Sequence, residues 1–174
     1  MSQQVVAVTV LGDDRRGIVA DVTAALAGLG GNLEDSTMTL LRGHFAMVVL
    51  VRTSHSAAEV QTALAPLTEG GALVVEARLL PDHETQDRPG TAYTLRVHGA
   101  DRPGIVADIT GVVAQHGGNI VDLGTRLGRG LYVLVAELAL PQGTTPARLE
   151  SDLAEAARRL GVEVQLSPVD DDLL

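Results

Sequence analysis

The chain has 174 residues, a net charge of −9 and an apolar fraction of 45%. That length accommodates one medium domain or two small ones. The absence of cysteine excludes disulfides, thiolate metal sites and cysteine nucleophiles. Nucleic-acid backbones are held mainly by basic side chains, so the acidic balance argues against direct nucleic-acid binding.

Aromatic residues are confined to Phe45, Tyr93 and Tyr132, so the core must be aliphatic. All 13 basic residues are arginine. The amino-terminal MSQQVVAVTV lacks the basic start and cleavage pattern of a leader, and no run approaches the roughly 20 apolar residues of a membrane helix. A soluble, cytoplasmic protein is expected.

One repeat organises the chain. Gly12 to Asn32 reads GDDRRGIVADVTAALAGLGGN, and Gly99 to Asn119 reads GADRPGIVADITGVVAQHGGN. Thirteen of 21 positions are identical without a gap. Asp35/Asp122, Arg42/Arg129, Gly43/Gly130 and Val48/Val135 continue the alignment. Residues 81–91, PDHETQDRPGT, are polar with two prolines and read as a linker. The expected domains are 1–80 and 92–169, with an acidic carboxy-terminal tail at 170–174.

In chain order, Val5 to Leu11 is rich in β-branched residues and predicts a strand. Gly17 to Leu29 carries Ile18, Val22, Ala25, Leu26 and Leu29 at helical spacing, and Gly30-Gly31 ends it. Leu33–Leu41 and His44–Arg52 are strands joined by an Arg42-Gly43 turn. Ser56 to Leu67 is helical, with Ser54 or Ser56 as N-cap, and Leu73–Leu80 is a strand. The second half repeats the order: strand Ala92–His98, helix Gly104–His116, strands Asn119–Leu127 and Leu131–Leu140, helix Thr145–Leu160, strand Val162–Leu166. Two βαββαβ units predict an α+β fold of two ferredoxin-like modules. Each is a four-stranded antiparallel sheet with two helices on one face. Along the third strand Phe45, Met47, Val49 and Val51 point one way, and Ala46, Val48 and Leu50 the other. Both faces are apolar, and Leu131 to Val135 shows the same pattern. A second sheet covering the helix-free face, and hence a homodimer, is expected.

Chemistry concentrates in the strand–GxDRxG–helix segments. A helix start offers unpaired N–H groups and partial positive charge to a carboxylate. Gly17 and Gly104 allow close approach to the backbone, and Pro103 suits a first helical turn. Asp14 and Asp101 are candidates both to cap the helix and to accept a bond from an ammonium. Asn32 and Asn119 add donor and acceptor. Asp21 and Asp108 are expected to be solvated. His44, His55, His83, His98 and His116 lack metal-ligand spacing, so no metal is predicted, and the chain implies no cofactor.

DRRGIVADVT and DRPGIVADIT, each followed by GGN, resemble ACT domains over about 1–80 and 92–169. The pattern is similar to that of the glycine cleavage system transcriptional repressor family, formyltetrahydrofolate deformylase and uridylyltransferases. With no catalytic domain beside the two modules, the chain looks most like the repressor family. The resemblance implies a non-catalytic regulator that binds a small amino acid, glycine or serine first, at interfaces between modules. Action through a protein partner is expected. The implied ligand-binding positions are Gly12, Asp14, Arg15, Gly17, Ile18 and Asn32, and Gly99, Asp101, Arg102, Gly104, Ile105 and Asn119. Arg16 departs from the family's proline, which favours the second site.

Three other readings share the fold. RGHFAMVVL at Arg42–Leu50 faintly resembles an RNA-recognition strand, but stacking needs more aromatics and a basic surface. An acylphosphatase-like pairing of Arg15 or Arg102 with Asn32 or Asn119 lacks that family's loop. A ligand-free module that only pairs with a protein partner is the third.

Overall fold

A computed structural model describes residues 3–81 and 90–169. Most of the expected linker and the acidic tail lie outside them. The chain divides into two compact units, Met1–Thr85 and Gln86–Leu174. The first contains β1 (Gln4–Asp13), α1 (Ile18–Gly28), β2 (Asn32–Leu41), β3 (His44–Thr53), α2 (Ala57–Leu64) and β4 (Leu73–Leu79). The second contains β5 (Gly90–Ala100), α3 (Ile105–Gln115), β6 (Asn119–Gly128), β7 (Leu131–Pro141), α4 (Pro146–Leu160) and β8 (Val162–Pro168). Each forms an antiparallel four-stranded sheet, in the orders β2-β3-β1-β4 and β6-β7-β5-β8. The two sequence-predicted βαββαβ modules are present.

Period-2 burial explains the sheets. Val6, Val8 and Val10 of β1 pack with Phe45, Met47, Val49 and Val51 of β3 beneath Ile18, Val22 and Leu26 of α1 and Val60 and Leu64 of α2. In the second unit Leu95, Val97, Leu134, Ala136, Leu138 and Leu140 lie under Ile105, Ile109, Val113, Leu149 and Leu153. Each core is aliphatic except for Phe45 and the partly buried tyrosines Tyr93 and Tyr132. A fully buried aliphatic side chain contributes about 1.5–3 kcal/mol.

Helix ends follow from local chemistry. In α1, Gly30 takes φ 64° and donates to Ala27, while Gly31 donates to Leu26. In α3, Gly117 and Gly118 donate to Ala114 and Val113 in the same way. These paired bonds form Schellman motifs. The second glycine of each pair is needed for space: a β-carbon on Gly118 would sit 2.8 Å from Val113 Cγ1. α2 begins at a capping box, with Ser56 Oγ accepting from Glu59 N and Glu59 accepting from Ser56 N. It ends three residues short of the expected Leu67, because a 3₁₀ turn over Ala65–Thr68 with Pro66 replaces the last α-turn. Both hairpins are two-residue turns with positive φ at both positions, Arg42-Gly43 and Arg129-Gly130.

The helix-free faces differ. In the first unit Ala7, Thr9 and Leu11 lie beside Leu50, Val48 and Ala46, so the centre of that face is uncharged. In the second unit the equivalent positions are Thr94, Arg96 and His98 beside Glu137, Val135 and Val133. Glu163 follows on β8, 3.1 Å from His98. The expected apolar outer face is therefore found in the first unit and not in the second. The pattern within β7 alone is apolar, but its neighbours supply charge.

Candidate functional site

The β1–α1 and β5–α3 loops sit at the hairpin end of their sheets. Gly12 pairs with Phe45 and Asp13 with His44, and Asp14 N donates to Gly43 O at 3.1 Å. The loop is pinned from the other side by Asp13 N donating to Ala72 O at 2.9 Å. Gly12 is needed for this approach, since a β-carbon would lie 2.0 Å from Ala72 O. Gly99 likewise leaves room for Val162.

Each helix is entered through a left-handed glycine. Gly17 (φ 89°) and Gly104 (φ 94°) are the N-caps, and neither helix has a side-chain cap. The capping role considered for Asp14 and Asp101 is thus not realised. They lie three residues ahead of the cap glycine, exposed, and their side chains make no hydrogen bond among the described residues. Pro103 precedes the N-cap instead of occupying the first helical turn, so it stiffens the loop. Open space surrounds Gly17 and Gly104, with no atom within 4 Å of a hypothetical β-carbon. The start of each helix carries the partial positive charge of its unbonded N–H groups, and the side of the cap glycine away from the chain is open.

Ile18 and Ile105 are each 2% exposed and belong to the cores. Their side chains anchor the helix start, and only their backbones face outward. The two arginines are placed differently. Arg15 pairs with Asp21 at 2.8 Å, across the first turn of α1, so Asp21 is not merely solvated. Arg102 instead lies against Gly161, its guanidinium 3.2–3.5 Å from where a β-carbon would be. Gly161 closes α4 at φ 67°.

Asn32 and Asn119 do not join these loops. Asn32 pairs with Arg52 and Asn119 with Ala139, seven residues along the strand from Phe45 and Tyr132. At about 3.4 Å per residue that is about 24 Å. The separation is built into a β–α–β unit, because the helix carries the chain back before the second strand begins. Sequence reasoning grouped them by motif proximity, whereas the crossover topology already separates them. A second feature was not anticipated. The register shifts between Leu33 and Asp35 and between Ile120 and Asp122, placing a bulge just after each asparagine. In the first unit Glu34 lies at this bulge and ion-pairs with Arg52.

The described histidines pair with carboxylates: His44 with Asp13, His55 with Glu59, His98 with Glu163 and His116 with Asp152, the last at 2.8 Å. His83 lies outside the described residues. Among the described residues no three His, Asp or Glu side chains come together to hold a metal ion. No described helix is long and apolar enough to cross a membrane.

The chain is thus a duplicated βαββαβ module with a helix entered through a left-handed glycine in each copy. Residues 4–76 and 94–167 each match the ACT domain family, and the chain belongs to that family. It is 30% identical over 127 residues to the glycine cleavage system transcriptional repressor of Escherichia coli, covering 72% of this chain and 66% of that relative. A UPF0237 protein of Methanopyrus kandleri is 39% identical over 75 residues, covering 42% of this chain and 83% of the relative. A crystal structure of an unknown protein from Galdieria sulphuraria superimposes with a TM-score of 0.80. It has 32% identity and covers 97% of this chain and 100% of that one. A further solved structure, 19% identical with a TM-score of 0.70, shares the fold.

Proposed function

We propose that this ACT-domain protein senses a small amino acid and regulates by protein–protein contact, without catalysis and without touching nucleic acid, in the cytoplasm. The carrying observation is the pair of uncapped helix starts, each gated by a left-handed glycine in open space. A free amino acid presents a carboxylate, which suits those N–H groups, and an ammonium, which suits the exposed Asp14 or Asp101. The relationship to the glycine cleavage repressor supports glycine or serine as effector and glycine or one-carbon metabolism as the setting.

The second loop is the stronger candidate. Pro103 preorganises it, and Arg102 is not committed to a carboxylate on its own helix as Arg15 is. Gly99, Asp101, Arg102, Gly104 and the Ile105 backbone form its near shell. Asn119, at the far end of its own sheet, lies outside this shell. The first loop offers Gly12, Asp14, Arg15, Gly17 and Ile18 in the same order, with Asn32 again remote.

A thermal-shift screen with the twenty amino acids tests the proposal. A true effector at 100 times its Kd stabilises by about 2.7 kcal/mol, a rise of several degrees for modules of this size. Asp101→Ala should abolish the shift. Asn119→Ala, at the far end of the sheet, should leave it unchanged. If no amino acid moves the midpoint at millimolar concentration, sensing fails. The ligand-free pairing reading then stands on the uncharged outer face of the first unit.

A further inference from the structure

Three rows cross the middle of the first unit's outer face, between the Asp13–His44 pair at one end and the Val5–Arg52 pair at the other. From β2 to β4 they are Thr39-Ala46-Leu11-Val74, Thr37-Val48-Thr9-Glu76 and Asp35-Leu50-Ala7-Arg78. Leu11 is 56%, Val48 41% and Val74 67% exposed. Beside the Leu11–Val74 ridge lies a depression of about 310 Å³, lined on this face by Thr9, Leu11, Thr37, Thr39, Ala46 and Val48. Ridge and depression are neighbours on one surface, which is the condition for a self-complementary contact.

We infer that this face pairs with the same face of a second copy of the chain, about a two-fold axis running along the strands between β1 and β3. That operation reverses each row. Leu11 then meets the second copy's Ala46 and Leu50 its Ala7, large against small, while between them Val48 meets the near-isosteric Thr9. Val74 enters the depression beside Thr39. At the rim Arg78 meets Asp35 of the second copy, and this happens twice. Four strands about 4.8 Å apart and seven residues long offer about 450 Å² of flat sheet per copy. The pair thus buries about 900 Å² before side-chain relief is counted, close to the about 1,000 Å² of a specific interface.

The second unit is the internal control. The same operation on its outer face would bury Arg96 against Val135 and Glu137 against Thr94 on the two central strands, whereas in the first unit Glu76, opposite Thr37, lies on the edge strand β4 and keeps its own Arg78 at 3.2 Å. The pairing is therefore assigned to the first unit alone. It does not rest on amino-acid binding.

Sedimentation of the full chain without added amino acid tests it. The wild type should be a dimer at micromolar concentration. Thr9→Arg, which copies Arg96 from the sister position, should give a monomer, while Arg96→Thr leaves the dimer intact. Because Thr9→Arg has to fold to be informative, the rim supplies a second test. Arg78→Glu should raise the dimer Kd about tenfold, and Asp35→Arg in the same chain should restore it. A monomeric wild type, a dimeric and folded Thr9→Arg variant, or no restoration by the charge swap overturns the proposal. A failed amino-acid screen with these results intact overturns only the sensing reading.

Discussion

At the residue scale, arginine occupies the first position of both hairpin turns, at φ 52° in Arg42 and 49° in Arg129. A left-handed conformation costs a β-carbon-bearing residue about 1–2 kcal/mol, and asparagine tolerates it best after glycine. Arg42→Asn and Arg129→Asn should therefore each raise stability by about 0.5–1 kcal/mol in urea denaturation. Neither arginine is a helix-start residue, so the amino-acid response should be unchanged. Gly17 and Gly104 show the contrary case. A side chain there would meet open space, so the cost of an exchange is only the strain of holding φ at 89° or 94°.

At the element scale, α2 has only eight residues, short for a helix in isolation, and depends on its cap. The Ser56 N–H donating to Glu59, with the Ser56 hydroxyl and His55 beside it, holds the Glu59 carboxyl below the usual glutamate value. A lowered folded-state pKa stabilises above the unfolded value and ceases to do so as pH falls through the folded one. Glu59→Ala should lower the melting temperature at neutral pH, and the gap to wild type should close in acid.

The serine cap of α2, the double-glycine stops and the hairpin turns are all local chemistry, which is why they could be read from the sequence along with both modules. What escaped were facts that depend on which strand lies beside which. Asn32 and Asn119 follow the loop motif in sequence but stand at the far end of the sheet. The apolar run Leu131 to Val135 predicted a covered face, yet Arg96, His98 and Glu163 on adjoining strands make that face polar. Asp14 and Asp101 matched cap preferences, but the glycines at 17 and 104 occupy the cap. The bulges after the asparagines have no signature in residue type, since they arise from pairing register.

At the scale of the whole molecule, each unit has its own core, and none of the buried residues in one core belongs to the other. Domains of this size fold alone when they bury enough apolar surface. The halves Met1–Thr85 and Gln86–Leu174, produced separately, should each unfold in a single cooperative transition followed by circular dichroism. By sedimentation the first should be a dimer and the second a monomer.

On the pairing inferred above, the charges on the second unit's outer face also set how many bonds a chain can make. A molecule with one self-matching surface has a valence of one, and its assembly stops at a closed pair. Had duplication left the same sticky surface on both modules, every chain would carry two. Pairs would then link through their free second surfaces into open filaments unless the geometry happened to close. Arg96, Glu137 and Glu163 act in this sense as end-stops. They let a repeated module, which would otherwise be a monomer unit for polymerisation, remain a discrete particle.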